Sequence, residues 1–263
     1  MFILEKMLKW RHLITFLVLL GLASLPLLIS SRSPLRPEAH SQPVTPTLVS
    51  QPRSRTYADA QAKVEVERQS LLISYMRAAN SMEKSAVLDR AREAMIRSAY
   101  YDLFEFWYGT PWDFYGTTET PGHGKIACGY FVTTILRDLG LKVQRTKLAQ
   151  QASENIIRSL TTDAYIKRYR LKPINDFVED VRKAGPGIYI VGLDVHVGFI
   201  INVNDEVYFV HSSYMDPLCV VKERALESKI LTASKYRVLG KISADDELIL
   251  KWLKGDPFMT RVS

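Results

Sequence analysis

The sequence predicts an α+β protein, with helices first, then an antiparallel sheet. Three observations predict it. Residues 57–83 contain no Gly or Pro and are rich in Ala, Glu, Gln, Arg and Leu, which favour helix. Cys128 opens a run, CGYFVTTILRDLG, in which Phe131, Val132, Ile135, Leu136 and Leu139 make one apolar face. After Gly185-Pro186-Gly187 the spacing changes to short β-branched and aromatic runs.

Taken in order, residues 13–29 are uncharged and apolar, with Lys6, Lys9 and Arg11 before them. Residues 1–30 therefore read as a signal peptide or a membrane anchor. Residues 31–56 hold Pro34, Pro37, Pro43, Pro46 and Pro52 and few large apolar groups, so they read as a disordered tether. A helical segment is expected over 57–108, as helices at 57–83 and 84–106 ending in Tyr100, Tyr101, Phe104, Phe106, Trp107 and Tyr108, whose ordinary use is core packing. Residues 109–127 form a Gly- and Pro-rich loop. The Cys128 helix stops at Gly140. Further helices are expected at 146–160 and at 173–184, the latter started by Pro173. Strands are expected at 188–191, 195–203 and 207–211, the last two joined by a turn at Asn204-Asp205-Glu206, with short strands at 219–221 and 236–238.

The net charge of +7 is unevenly spread. Residues 1–56 hold seven basic side chains against Glu5 and Glu38, which leaves +2 for residues 57–263. The excess thus belongs to the N-terminal segment, and no zinc-finger spacing, RNP-like aromatic strand or dense basic helix argues for nucleic acid.

The chain has two cysteines, Cys128 and Cys219. In an exported protein a disulfide between them is the first reading. Against it, Cys128 is expected at a helix N-terminus, where free N–H groups and the helix dipole lower a thiol pKa and make a nucleophile. Those N–H groups also suit an oxyanion. Cys219 lies in an apolar stretch, as a buried, inert thiol would. His12 belongs to the export segment and His40 to the tether, while His123 is in the loop before Cys128. His196 and His211 fall on the two arms of the expected hairpin. His196 is the candidate base, and His211 the group that orients it. Zinc is the competing use of Cys128, His196 and His211, but no short-spaced ligand pair supports it. The reading needs neither a metal nor a cofactor.

The order Cys, His, His on a helix followed by a hairpin resembles the NlpC-type cell-wall endopeptidases, a papain-like family. Gly109-Thr110-Pro111-Trp112, Tyr115-Gly116-Thr117-Thr118, Ala127-Cys128-Gly129-Tyr130-Phe131-Val132, Gly185-Pro186-Gly187-Ile188-Tyr189, His196-Val197-Gly198-Phe199-Ile200 and Phe209-Val210-His211-Ser212-Ser213 resemble its motifs in the family's order, over roughly residues 105–215. The resemblance implies a papain-like domain over 109–263, with 141–184 a candidate helical insertion. It implies an exported cysteine peptidase or amidase, with Cys128 as nucleophile, His196 as base and His211 as orienter. The family's binding-site Tyr falls on Trp112, with Tyr115 nearby. The implied substrate is a peptidoglycan-like peptide. A membrane is a partner only if residues 13–29 stay attached. Two other uses remain open: a non-catalytic binding module on the same fold, and an acyltransferase using the same triad. The sequence departs from the family's pattern at Ala127 and Gly129, where the family carries Asp and Ser.

Overall fold

The computed structural model describes residues 55–262. The expected export segment and tether, with His12 and His40, lie outside the described residues. Among the described residues no helix is long and apolar enough to cross a membrane.

Helix α1 (Tyr57–Arg77) starts with a capping box. The Thr56 hydroxyl accepts from the Asp59 amide, and the Asp59 carboxylate accepts from the Thr56 amide. Helix α2 (Ser81–Arg97) is capped by Asn80, whose side chain accepts from the Glu83 amide while Glu83 accepts from the Ala79 amide. These caps correct the expected helix over 57–83: the break falls at 78–80, because Asn80 satisfies free amides there better than it would inside a helix. A wider π turn, Ser98–Leu103, then leads into α3 (Phe104–Trp107). Phe104 and Trp107 are fully buried, and their rings pack on Phe131 and Phe199 at 5.3–6.2 Å. This part of the aromatic cluster is core, while Tyr101 is 46% exposed.

Helix α4 (Cys128–Asp138) buries Phe131, Val132, Ile135 and Leu136 completely, each worth roughly 1.5–3 kcal/mol of transfer free energy. Gly140, at φ +91°, turns the chain out of it. Strand β1 (Lys142–Val143) follows, and then α5 (Arg145–Ala149) and α6 (Ser153–Arg158) stand where one helix was expected over 146–160. A Cβ on Gly129 would lie 2.5 Å from the Ala149 carbonyl oxygen, so the end of α5 is set against α4. Tertiary approach overrides helix propensity here.

Residues 141–184 also hold β2 (Ile166–Arg170), ahead of α7 (Ile174–Lys183), for which Pro173 is the N-cap. The remaining strands are β3 (Gly187–Leu193), β4 (Val197–Val203), β5 (Glu206–Ser212), β6 (Val220–Arg224) and β7 (Tyr236–Lys241). Helices α8 (Lys229–Ala233) and α9 (Asp246–Lys254), with β8 (Pro257–Phe258), complete the chain. The six-stranded sheet runs β2-β7-β3-β4-β5-β6, antiparallel throughout, and β1 pairs with β8 in a separate parallel ribbon. Asn204 and Asp205, at φ 51° and 61°, form the two-residue turn between β4 and β5.

Both faces of the sheet are covered. Ile188, Ile190, Phe199, Ile201, Val210 and Val238 share a core with α4, whereas Tyr189, Val191, Ile200 and Leu239 pack with Phe177, Val178 and Val181 of α7. Residues 57–108 join the first core through Ala60, Val64, Leu88, Ala91 and Met95. The Tyr57 hydroxyl donates to Asp138 at 2.6 Å and accepts from the Trp107 indole at 2.9 Å. Residues from Arg55 onward are one compact unit, so 57–108 is not a separate body.

Candidate active site

The backbone around Cys128 is anchored before the helix begins. The Ser212 hydroxyl donates to the Ile126 carbonyl at 2.7 Å in the buried interior, tying the residue after His211 to the segment before Cys128. The Ile126 amide donates to Pro111 and the Ala127 amide to Gly116, so the loop from 109 lies along the same segment.

The Cys128 sulfur accepts from three backbone amides, those of Val197, Gly129 and Cys128 itself. Two belong to the helix N-terminus. Nevertheless burial outweighs them, and the thiol is pushed above its usual value. This corrects the expected lowering: the residue keeps only part of its surface, and removal of the sulfur from water costs a thiolate more than three amides return. Both cysteines are free thiols, which removes the disulfide reading. Cys219 is half-buried and lies one residue ahead of β6, bridged to Pro111, and not inside an apolar strand.

His196 lies just before β4, and its carbonyl accepts from the Leu193 amide across a tight turn. His211 is on β5. The two rings are joined by a 2.9 Å hydrogen bond between His196 Nε2 and His211 Nδ1. His211 Nε2 lies 3.1 Å from Glu223 Oε1, on β6. The carboxylate fixes the protons along this line. Glu223 accepts, so His211 Nε2 carries hydrogen; a neutral His211 then accepts at Nδ1, so His196 donates from Nε2. The lone pair of His196 is left on Nδ1.

Burial pushes His196 well below its usual pKa, with the charge of His211 adding to it. Burial also lowers His211, against the opposing pull of Glu223. Burial raises Glu223, but hydrogen bonds from His211 and Ser228 outweigh it and leave the carboxyl below its usual value. Both imidazoles are neutral at pH 7 and Glu223 is ionised, as the proton order requires.

The His211 ring stacks on Phe209 at 3.9 Å and 14°. Gly198 is required beside it. A Cβ there would meet His211 Cβ at 2.8 Å and Phe209 Cε2 at 2.6 Å.

The relay meets Cys128 through the chain next to His196: the Val197 amide donates to the sulfur. Among the described residues no hydrogen bond joins the sulfur to the His196 ring. Tyr214 links the parts further. Its ring contacts His196 at 5.1 Å and Trp112 at 6.4 Å.

Of the residues singled out by sequence, Cys128, His196, His211 and Trp112 are thus brought to one region. Tyr115 is 78% exposed and touches Phe114 at 5.0 Å, without a hydrogen bond to the others. His123 is exposed in its loop. Glu223 and Tyr214 escaped the sequence reading. Glu223 lies on a strand expected to end at 221, amid the charged run Lys222-Glu223-Arg224, and Tyr214 sits in a loop of no regular period. The only sequence signal for either was position, within three residues of His211 or on the next strand.

No group of three or more His, Cys, Asp or Glu suited to a metal ion occurs among the described residues. Searches of protein-family models, curated proteins and solved structures find no match to this chain.

Proposed function

We propose that the chain is an exported, thiol-dependent amide hydrolase of papain-like, NlpC-like type. The observation that carries this reading is the line Glu223–His211–His196, which leaves a lone pair on a buried neutral imidazole whose neighbouring amide binds the Cys128 sulfur. In this reading His196 Nδ1 takes the thiol proton as the sulfur attacks a carbonyl carbon. The imidazolium then protonates the leaving amine, and water cleaves the thioester. Because burial disfavours both charged forms, the resting pair is neutral thiol and neutral imidazole, and the proton moves during attack. Peptidoglycan stem peptides are the proposed substrate, on the strength of the motif order and the apolar N-terminal run.

A raised thiol pKa also favours a second reading, a non-catalytic binding module on the same fold. Mass spectrometry of purified cell wall digested with wild type or Cys128→Ala separates them. New fragments made only by the wild type are the expected result. Identical digests, with both proteins sedimenting with the wall, would establish the binding module instead. Acyl transfer uses the same thioester, and an added amine acceptor appearing in the products would reveal it.

A further inference from the structure

Tyr214 is not used by the relay, yet it adjoins the His196 end of it. It is half-buried in the loop after β5, edge-on to His196 at 5.1 Å and 68°, with Trp112 on its other side at 6.4 Å. The ring is therefore held between a proposed catalytic group and the aromatic residue of the 109–127 loop. Its hydroxyl has no hydrogen-bond partner among the described residues; those of Tyr108 and Tyr169 also have none but are buried away from solvent. Burial raises the phenol, so it keeps its proton at neutral pH.

Hydrogen bonding from the amides of Cys128, Gly129 and Val197 favours the charged form of the sulfur. They stabilise negative charge on sulfur before attack. A tetrahedral intermediate moves that charge to oxygen, and it needs a donor aimed away from the sulfur.

We infer that Tyr214 is a catalytic residue whose hydroxyl donates a hydrogen bond to the carbonyl oxygen of the substrate as Cys128 attacks. The inference rests on Cys128 acting as the nucleophile. As the S–C bond forms, the carbonyl π pair moves onto oxygen, and Tyr214 stabilises that oxyanion without giving up its proton. The thiol proton goes to His196. Collapse of the oxyanion re-forms C=O and expels the leaving group, leaving the thioester.

Two reactions at the same sulfur isolate this role. Acylation by p-nitrophenyl acetate passes through an oxyanion, whereas alkylation by iodoacetamide displaces iodide at a saturated carbon and does not. Each is measured at pH 7 by peptide mapping of Cys128, in wild type, Tyr214→Phe and His196→Ala. Phe keeps the packing against His196 and Trp112. Loss of one oxyanion donor slows acylation on the order of 10²–10³-fold, so Tyr214→Phe should lose acylation and keep the wild-type alkylation rate. Unchanged acylation would overturn the role. An equal fall in both reactions would overturn it as well, because the hydroxyl would then be acting on the thiol. Wild-type acylation no faster than that of His196→Ala would remove the nucleophile reading itself, and the oxyanion role with it.

Discussion

At the residue scale the central contact is Glu223 to His211. A carboxylate oxygen 3.1 Å from Nε2 sets both imidazole tautomers, and so decides which nitrogen of His196 holds a lone pair. Glu223→Gln replaces a charge-assisted bond worth about 1.5–3 kcal/mol. If that difference is felt in the transition state, the rate of Cys128 acylation drops on the order of 10–100-fold. The fold should hold, as circular dichroism would show, because Glu223 is partly exposed. An unchanged rate would mean that the tautomers are set elsewhere. Histidine burial has a second consequence. His196 and His211 both titrate below 6.5 in the folded state, so the unfolded chain binds more protons as pH drops. Their stabilisation is fully present above pH 6.5 and is lost as pH falls through the folded values. Each unit of depression is about 1.4 kcal/mol. Melting temperature should therefore decline from pH 7.5 to pH 5, and less steeply in His196→Gln; parallel curves would contradict this. The cysteine and both histidines were legible in the sequence because a helix start and a hairpin each leave a local mark. The sign of the Cys128 shift was not. Burial is a sum over residues distant in sequence, and no local pattern reports it.

At the element scale, His196 just before β4, His211 on β5 and Glu223 on β6 hold the relay, and the β4–β5 pairing tolerates no side chain at position 198. Gly198→Ala would drive a Cβ into His211 and Phe209, and overpacking of this kind costs roughly 1–3 kcal/mol. The expected outcome is a lowered melting temperature together with lost acylation of Cys128, since the ring that must move is Phe209, on which His211 stacks. Wild-type behaviour in both measurements would show that the strands part without consequence. The β3–β5 strands were readable because they are buried on both faces and appear as continuous apolar runs. Strand β2 was not readable. It is an edge strand whose Lys167, Arg168 and Arg170 guard the open side, and that charge hides the alternation that marks a strand. The same masking shortened β6 and concealed Glu223.

At the scale of the whole molecule, the helices of residues 57–107 and the sheet share one core. Asp102, nearly fully buried, takes ion pairs from Arg55 and Lys63, and the Trp252 indole of α9 donates to the Leu139 carbonyl at the end of α4. The Tyr57 hydroxyl, donating to Asp138, ties the helical part to α4 itself. The full chain should show α1, α2 and the sheet losing amide protection together in hydrogen exchange. Earlier exchange of α1 and α2 as a unit would contradict the shared core. Sequence alone divides the chain at residue 108, because a change in composition looks like a boundary. Only the packing of Ala60, Val64 and Leu88 with Phe131 and Trp107 in one cluster shows otherwise.

The central claim is that His196 takes the proton from Cys128. Its most direct test is the pH dependence of iodoacetamide labelling at Cys128, read by peptide mapping from pH 5 to 10 in wild type and His196→Ala. With the base present, labelling at pH 7 should exceed that of Cys219 and should fall only as His196 protonates, below pH 6.5. Without it, Cys128 should react slowly through neutral pH and speed up only in the alkaline range, above that of an ordinary thiol, as a buried thiol does. Coincident profiles for the two proteins would contradict the claim.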